Sequence, residues 1–368
     1  MEAFSVQLNK QDSETVGEGK EPKVAQKTAS KTTPKTTIAD VARVAGVSVT
    51  TVSRVLNGEK YVRQDKKEAV ERAVAKLDYQ PNLYARSLAG DRSYLIGLLF
   101  DDPRGDYLSG MQRGAMHRCR EEGYHIVVEL FDRTTTLDQI EQFLSKLRPS
   151  GVLLTPPVCD NKVILAALAR KQVPTVRISP SEDFPGMASV KIDDYHAAYQ
   201  MTEHLISLGH RDIGFIIGDV EHADARARLR AFRDAMKAAN LPVVEDWIAQ
   251  GSYQFASGRK AAEQILSSAK RPTAIFASND DMAAAVIVVA DEMGIDVPHE
   301  LSVAGFDDIP LASAVSPSLT TIRQPVEQMA ETAVGRLMAM LKGGDSDVDT
   351  PVMMPVEFVK RASTGPRR

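Results

Sequence analysis

Short apolar runs alternate with helical stretches from residue 95 almost to the end of the chain, and this alternation limits the possible folds. Helical stretches of about 10–17 residues separate most of the apolar runs. Because a strand–helix–strand order favours parallel pairing with helices on both faces, the pattern predicts an α/β fold with enough strands for two sheets. A cleft between two such halves is a natural site for a small ligand. The predicted strands are Leu95–Phe100, His125–Leu130, Gly151–Leu154, Pro174–Ile178, Ile213–Ile217, Ala274–Ala277 and Ser302–Ala304, with crossings between the halves near Leu319–Ile322 and Pro351–Val359.

A purely helical pattern precedes this α/β part. Thr37 is expected to cap a first helix, and Gly46 is expected to end it in the left-handed conformation. Ser48 starts a second helix that runs to Leu56, and a third is predicted over about Gln64–Leu77. Two short helices joined by a glycine turn form a helix-turn-helix arrangement. The second helix carries hydrogen-bonding side chains rather than a Glu and Lys mixture, which favours a binding role over a three-helix bundle without one.

The distribution of charge indicates a polyanionic partner for this helical part. Residues 35–92 carry 11 Lys and Arg against 7 Asp and Glu, whereas the whole chain has a net charge of −4. A basic segment ahead of an acidic body is typical of a protein whose smaller part binds nucleic acid. Residues 1–35 are rich in Lys, Ser, Thr, Glu and Gln without apolar periodicity, and are predicted to form a disordered tail.

The composition excludes several other classes of protein. Hydrophobic residues make up 43% of the chain and charged residues 26%, as in soluble globular proteins. Cys119 and Cys159 are the only cysteines, which fits a reducing compartment, and the chain lacks both a signal-peptide pattern and an apolar run of about 18 residues. We therefore expect a cytoplasmic protein without a membrane partner. Phosphate-loop, nucleophile-elbow and zinc-helix motifs are missing, so no enzyme activity, cofactor or metal site is predicted.

A series of motifs resembles the LacI/GalR family of bacterial transcription regulators over about residues 36–364. TIADVARVAGVS at 37–48 and TVSRVLN at 51–57 are similar to the DNA-binding headpiece of the family, and YQPN at 79–82 with ARSL at 85–88 resembles its hinge. The motifs that resemble its ligand-binding core are LGHR at 208–211, SND at 278–280, GFDD at 305–308 and LTTIRQP at 319–325.

This resemblance implies a small all-α helix-turn-helix domain followed by an α/β core of two Rossmann-like subdomains, of the periplasmic-binding-protein-like type I. The implied segments are a tail at 1–35, a helix-turn-helix domain at 36–81, a hinge helix at 82–92 and an effector-binding and dimerisation core at 93–368. Within the core, the first subdomain is expected at about 93–191 and 325–350, and the second at about 192–324 and 351–364.

The resemblance further implies a homodimer that binds a palindromic DNA operator. Val49, Thr50 and Arg54 match positions that contact base edges in the major groove, where arginine can bond guanine through two donors. Leu88 matches the hinge leucine that enters the minor groove and kinks the duplex, and Ala85 is small enough to allow that approach. The other positions implied at the DNA or in steadying the domain are Thr37, Ser48, Thr51, Ser53, Asn57, Tyr61, Tyr79 and Asn82. For Ser48 a plain helix cap, and for Tyr79 packing, are the alternatives.

An effector cleft in the core is the last implication of the resemblance. Its mixture of carboxylate, amide and guanidinium groups suits a polyhydroxylated ligand, because each hydroxyl both donates and accepts. The implied residues are Tyr107, Met111, Ser179, Asp224, Arg228, Tyr253, Asn279, Asp281 and Asp307. We expect a sugar effector and a repressor of carbohydrate-utilisation genes. A purine or nucleoside effector remains open, and a stand-alone sugar-binding protein is the alternative from another class. Ser179-Pro180 departs from the common family pattern, so the ligand of no single relative carries over.

Overall fold

A computed structural model of the protein describes residues 36–56, 61–79, 93–101, 105–344 and 347–367. The chain divides into two compact units between Pro81 and Asn82. The predicted tail at 1–35 and the predicted hinge helix at 82–92 lie outside the described residues.

The smaller unit contains three helices, α1 (Ile38–Ala45), α2 (Val49–Leu56) and α3 (Gln64–Leu77). Thr37 caps α1 as predicted: its hydroxyl accepts the backbone N–H of Asp40 at 3.4 Å, and the Asp40 carboxylate accepts the backbone N–H of Thr37 at 3.1 Å. Gly46 ends α1 with a φ of 66°, also as predicted. The three helices close a small apolar core whose buried members are Val41, Ala42, Val52, Val70, Ala73 and Tyr79.

The larger unit begins with a six-stranded parallel sheet. Its strands are β1 (Leu95–Phe100), β2 (His125–Leu130), β3 (Gly151–Leu154), β4 (Thr175–Ile178), β5 (Ala188–Lys191) and the late β11 (Val352–Met353), in the spatial order β2-β1-β3-β4-β5-β11. The helices associated with this sheet are α4 (Asp106–Glu121), α5 (Leu137–Leu147), α6 (Lys162–Arg170) and α12 (Val326–Leu341). Ile96 and Leu98 belong to the apolar cluster shared with α4 and α12, whereas Leu99 belongs to the cluster of α5 and α6. Both faces of the sheet are therefore covered.

A four-stranded parallel sheet forms the second half of this unit. Its strands are β6 (Ile213–Ile217), β7 (Ile248–Gln250), β8 (Ala274–Ala277) and β9 (Ser302–Ala304), in the order β7-β6-β8-β9. Phe215 packs in the cluster of α7 (Asp194–Ser207) and α8 (Ala223–Ala238), and Ile216 in that of α9 (Phe255–Leu266) and α10 (Asp280–Glu292). A short helix, α11 (Pro310–Ala314), follows β9. The predicted α/β architecture with two parallel sheets is confirmed.

The chain crosses three times between the two halves, after β5, after β10 (Thr321–Arg323) and after β11. β10 pairs antiparallel with β12 (Glu357–Val359), so the last two crossing segments lie side by side. The crossing predicted near Pro351–Val359 occurs only after Met353, because Val352 and Met353 first extend the six-stranded sheet beside β5. The edge of β5 offers unpaired backbone groups, and these two residues satisfy them.

His210 connects the second sheet to the end of the chain. Its Nδ1 lies 2.9 Å from the Thr273 hydroxyl, and its Nε2 lies 2.9 Å from the Ser302 hydroxyl and 3.0 Å from the Gly365 carbonyl. The residue is buried.

Candidate functional site

The exposed face of α2 is the first candidate surface. Thr50 and Arg54 are exposed one helical turn apart, and Val49 is 46% exposed, whereas Val52 on the opposite face is fully buried. The Ser48 hydroxyl accepts the backbone N–H of Thr51 at 3.2 Å, so Ser48 caps α2. The helix therefore turns an apolar side inwards and leaves hydrogen-bonding side chains outside.

The other predicted DNA-binding residues fall into three groups. Thr37 and Tyr61 are exposed, and Thr51 and Ser53 are half-buried on α2. Tyr79 lies in the core of the smaller unit at 8% exposure, so its ring packs against the helices and is not presented at the surface. Asn57, Asn82, Ala85 and Leu88 lie outside the described residues.

A cavity of about 290 Å³ in the larger unit is the second candidate. The loops that line it follow strands of both sheets, because the carboxyl ends of the strands in the two halves face one another. Six predicted effector residues line the cavity: Tyr107, Asp224, Arg228, Tyr253, Asn279 and Asp307. The further lining residues are Asp101, Leu108, Pro156, Pro157, Asp219, His222, Ser252, Gln254 and Gln324.

Arg228 forms a buried ion pair at the wall of this cavity. Its Nε and one terminal nitrogen donate to Asp194 at 2.9 and 2.7 Å, and the other terminal nitrogen donates to the Ser278 carbonyl at 2.5 Å. The guanidinium carbon also lies 3.6 Å from the centre of the Phe306 ring. Stacking and paired hydrogen bonds fix the plane of the guanidinium, which leaves its remaining N–H groups in a defined direction.

Tyr253 occupies a strained and tightly packed position. Its backbone φ is 62°, and its carbonyl accepts a hydrogen bond from the Asn279 amide at 3.0 Å. A side chain on Gly218 would lie 2.1 Å from Cζ of the tyrosine, so the ring rests directly on the glycine backbone. The Tyr253 hydroxyl is buried close to Asp224, and burial and that carboxylate both raise the pKa of the tyrosine. Asn279 also caps α10, since its side-chain oxygen accepts the N–H of Met282 at 3.1 Å.

Asp307 has an unusual backbone φ of 113°, which the crossing segment holds in place. Its N–H donates to the Ile322 carbonyl at 2.8 Å, and its carboxylate accepts the Gln324 amide at 2.6 Å. Burial raises the pKa of Asp307 to about 7, against the opposing effect of Arg228. A carboxylate that is costly to charge and accepts a single neutral donor is well suited to receive donors from a ligand.

The fold does not bring three predicted effector residues to this cavity. Met111 follows Tyr107 by one helical turn but is fully buried in the apolar cluster beneath α4. Asp281 lies in the first turn of α10, outside the lining residues. Ser179 lines a neighbouring cavity of about 490 Å³, together with Lys191 and Arg226, because the loop after β4 turns away from the predicted site.

Several lining residues were not predicted as ligands. Gln324 lies within the LTTIRQP motif, whose position on the crossing segment was the available signal. Asp219 follows β6, the kind of strand end that predicts a ligand side chain. His222 stands beside Tyr253 with ring centres 5.4 Å apart, and the sequence carried no comparable signal for it.

An ion pair joins the two halves of the larger unit at this cavity. Arg133, in the loop after β2, lies 2.5 Å from the carboxylate of Asp219, in the loop after β6. The two side chains are 47% and 33% exposed, so the pair is accessible to water. It therefore acts as a weak connection across the cleft rather than as part of the core.

The part of the chain that the structure describes lacks two other kinds of site. Its His, Cys, Asp and Glu side chains nowhere cluster in a group of three or more that could hold a metal ion. None of its helices is both long and apolar enough to span a membrane.

Comparison with known proteins gives matches over nearly the whole chain. Residues 37–82 match the bacterial regulatory proteins of the lacI family, and residues 202–364 match a periplasmic binding protein-like domain. The chain is 35% identical over 331 residues to the HTH-type transcriptional repressor PurR of Photorhabdus laumondii, covering 89% of this chain and 96% of that protein. It is 33% identical over 335 residues to the HTH-type transcriptional regulator DegA of Bacillus subtilis, covering 90% and 99%.

Solved structures give the same result. The lac repressor dimer bound to operator and the anti-inducer ONPF matches with a TM-score of 0.76 and 30% identity, over 90% of this chain and 99% of that one. The transcriptional regulator CelR in complex with cellobiose matches with a TM-score of 0.67 and 27% identity, over 89% and 99%. The relatives are transcriptional regulators rather than enzymes, and the match at 37–82 argues against a stand-alone sugar-binding protein. With an N-terminal helix-turn-helix and a periplasmic-binding-protein-like core in the same order as these relatives, the chain belongs to the lacI family of bacterial transcriptional regulators.

Proposed function

We propose that this regulator binds a palindromic operator as a homodimer and represses carbohydrate-utilisation genes under the control of a small polyhydroxylated effector. The observation that carries the proposal is the pairing, in one chain, of a helix-turn-helix with an exposed polar helix and a cavity lined by aromatic and hydrogen-bonding groups. The first element suits duplex DNA and the second suits a sugar.

DNA binding is assigned to the exposed face of α2. Thr50 and Arg54 reach outwards from a helix short enough to lie in the major groove. Arginine distinguishes guanine through two parallel hydrogen bonds, and the methyl groups of Val49 and Thr50 suit contact with thymine. Ser48 and Thr51, at the start of α2, are assigned to phosphate contacts, which would supply affinity without reading sequence.

Effector binding is assigned to the cavity of the larger unit. Its volume of about 290 Å³ matches a ligand of the size of a monosaccharide or a purine base. Carboxylate acceptors at Asp224 and Asp307 and donors at Arg228 suit adjacent hydroxyl groups, and Tyr253 offers a ring for the apolar face of a sugar. The similar CelR was solved with cellobiose, which supports a carbohydrate ligand. Aromatic and carboxylate groups also accept a purine, so purines belong in any binding test.

Dimerisation is assigned to an apolar surface on the first half of the larger unit. Strand β2 lies at the edge of the six-stranded sheet, and its Val128 and Leu130 side chains are 44% and 55% exposed. Met116 on α4, the helix after β1, is 50% exposed. An open strand edge with exposed apolar side chains favours aggregation unless another chain covers it. A second copy of this chain is the proposed cover, in keeping with the similar lac repressor dimer.

Selection of DNA sequences bound by the purified protein, followed by fluorescence anisotropy on the best duplex, tests the proposed function. We expect a palindromic consensus and a steep loss of affinity with salt, because phosphate contacts release counterions. Arg54→Ala is expected to lose about 1–3 kcal/mol on the consensus and to accept any base at one half-site position. Arg72→Ala removes the same charge from the exposed side of α3 and serves as the matched control.

Three results would contradict parts of the proposed DNA binding. A consensus without two-fold symmetry would contradict binding as a homodimer. An unchanged base preference in Arg54→Ala would contradict recognition of a base by that arginine. Equal losses for Arg54→Ala and Arg72→Ala would indicate a general effect of charge rather than recognition of a base.

A further inference from the structure

The turn that carries Asp307 holds two consecutive residues in left-handed backbone conformations. Asp307 has a φ of 113° and Asp308 a φ of 57°. Such conformations cost free energy in residues other than glycine, and two in succession persist only when the surrounding structure holds them. The side chain of Asp307 lines the effector cavity, whereas Asp308 is not among its lining residues. The contacts that hold this turn therefore decide where the Asp307 carboxylate lies.

The carboxylate of Asp308 is held by two arginines. One oxygen accepts the Nε–H of Arg323 at 2.6 Å, and the other lies 2.6 Å from a terminal nitrogen of Arg361. The side chains of Asp308 and Arg361 are 6% and 16% exposed, so this pair is shielded from water, whereas Arg323 is half-exposed. Removing one partner of a shielded pair is far more costly than removing one partner of a surface pair.

The two arginines belong to the last two segments that cross between the halves. Arg323 is the last residue of β10, and it also donates to Glu357 of β12 at 2.5 Å. Arg361 follows β12, and its side chain donates to the Leu319 carbonyl at 2.9 Å. Asp308 is therefore bound to both crossing segments at once, and a displacement of one segment relative to the other would break one of its ion pairs.

The residues on either side of Arg323 bind the residue that precedes Asp308. The Ile322 carbonyl accepts the backbone N–H of Asp307 at 2.8 Å, and the Gln324 amide donates to the Asp307 carboxylate at 2.6 Å. These two hydrogen bonds form only where the turn lies alongside the end of β10. The ion pairs of Asp308 and the hydrogen bonds of Asp307 therefore form one continuous contact between the turn and this crossing segment.

Asp280 holds the next residue of the same loop in a different way. Its carboxylate accepts the backbone N–H of Ile309 at 3.0 Å and the Thr321 hydroxyl at 2.6 Å, and the residue is fully buried. Asp280 thus already joins the loop to the start of β10, but its contacts do not include the two left-handed residues. Their conformation depends instead on the contacts of Asp307 and Asp308 themselves.

We propose that Asp308 is a positioning residue for effector binding. Its ion pairs with Arg323 and Arg361 hold the strained turn in place, so that the Asp307 carboxylate faces the cavity. This inference rests on the proposed effector-binding role of Asp307 and adds the group that sets its position. Because both arginines lie on crossing segments, an effector held by Asp307 is linked through Asp308 to the segments that join the two halves.

Carboxyl footprinting of the full-length protein tests the proposal before any effector is known. A carbodiimide couples glycine ethyl ester to accessible carboxylates, and peptide mass spectrometry then reports the labelling rate of Asp307. Asp308→Asn removes the charge, but asparagine still tolerates a left-handed backbone, so the variant tests the ion pairs rather than the conformational preference. We expect Asp307 to be labelled at least about tenfold faster in this variant, because the turn opens more often once the arginines lose their partner.

Three further variants separate positioning from a general loss of stability. Asp160→Asn breaks an ion pair with the buried Arg177 in the first half, and it should leave the labelling rate of Asp307 unchanged. Arg323→Ala removes a half-exposed side chain, so it should fold even if Asp308→Asn does not, and it should also raise the labelling rate. Arg323→Lys keeps the charge and should restore much of the protection.

Wild-type labelling of Asp307 in both Asp308→Asn and Arg323→Ala overturns the proposal, as does equally fast labelling in Asp160→Asn. Calorimetry with cellobiose, glucose and adenine on the same variants separates this result from a failure of the proposed function. A probe that loses affinity in Asp307→Asn but not in Asp308→Asn contradicts this inference alone. A probe that binds Asp307→Asn as tightly as the wild type contradicts the proposed effector site, whatever the labelling rates are.

Discussion

Gly218→Ala should displace the Tyr253 ring and destabilise the protein, because the ring packs directly against the backbone of Gly218. The added Cβ would lie 2.1 Å from Cζ, 2.5 Å from Cε1 and 2.5 Å from the hydroxyl oxygen of Tyr253. These distances are far inside van der Waals contact, and Gly218 is itself buried at the end of β6. The tyrosine ring must therefore leave its position against the strand end.

The energetic effect follows from overpacking. Forcing one extra carbon into a filled site costs about 1–3 kcal/mol, which lowers Tm by several degrees for a unit of this size. Displacing the ring also removes an aromatic contact worth about 0.5–1.5 kcal/mol to a bound sugar. Operator affinity in the absence of effector should stay unchanged, because Gly218 belongs to the larger unit.

Thermal and denaturant unfolding of the wild type and four variants provides the measurement. Gly335→Ala is the matched control, since a Cβ at this position on α12 meets no atom within 4 Å. This control should gain about 0.5–1 kcal/mol from the better helix propensity of alanine. Tyr253→Ala and the double variant Gly218→Ala/Tyr253→Ala complete a cycle, in which removing the ring should restore the stability lost to the clash.

Additive losses of stability in this cycle would contradict a clash between the new methyl group and the Tyr253 ring. Equal losses from Gly218→Ala in the presence and absence of the Tyr253 ring would show that the methyl group disturbs something else. Unfolding of Gly218→Ala at the same temperature as Gly335→Ala would show that the end of β6 accommodates the methyl group without a loss of stability.

Three further outcomes are expected. Arg133→Ala should change Tm little, because an exposed ion pair contributes about 0–1 kcal/mol, but should speed hydrogen exchange in the loop that carries Asp219; unchanged exchange would deny that the pair connects the halves. Thr37→Ala should cost the three-helix unit about 1 kcal/mol by circular dichroism, with Thr37→Ser near wild type, and equal stability of the two variants would contradict the cap. Because folding raises the pKa of Asp307 from 3.8 to about 7, its contribution to the free energy of unfolding should fall as pH rises from about 4 to 7. Asp307→Asn should remove this pH dependence from denaturant titrations. An unchanged pH dependence would assign the effect to another group.

Most of the fold follows from periodicity and helix caps. The third helix, predicted over Gln64–Leu77, has those bounds, and the predicted strands all occur, with Pro174 left outside β4. Strands β5 and β7 were not predicted because each is short and ends in a polar residue, Lys191 and Gln250, so that neither forms a continuous apolar run. β11 has only two residues, and it forms a strand only because it pairs with the edge of β5, which is distant in sequence.

The candidate cavity was less predictable than the sheets around it. Tyr107 and Met111 lie one helical turn apart, but only Tyr107 lines the cavity, because Met111 is fully buried in the apolar cluster beneath α4. Ser179 was implied by the resemblance to the family, but it lines the neighbouring cavity instead. The contact of Arg133 with Asp219 depends on the angle between the halves, which no local pattern encodes.

The late helix α12 has a consequence for synthesis of the protein in the cell. Its apolar residues Met329, Ala333 and Leu337 complete the cluster of β1 and α4, although some 200 residues separate them along the chain. Ribosomes add about 5–20 residues per second, so the nascent first half waits on the order of ten seconds or more with that face uncovered. Chaperone demand, and sensitivity to premature termination, should therefore depend on when α12 is synthesised rather than on the synthesis of β1 and α4.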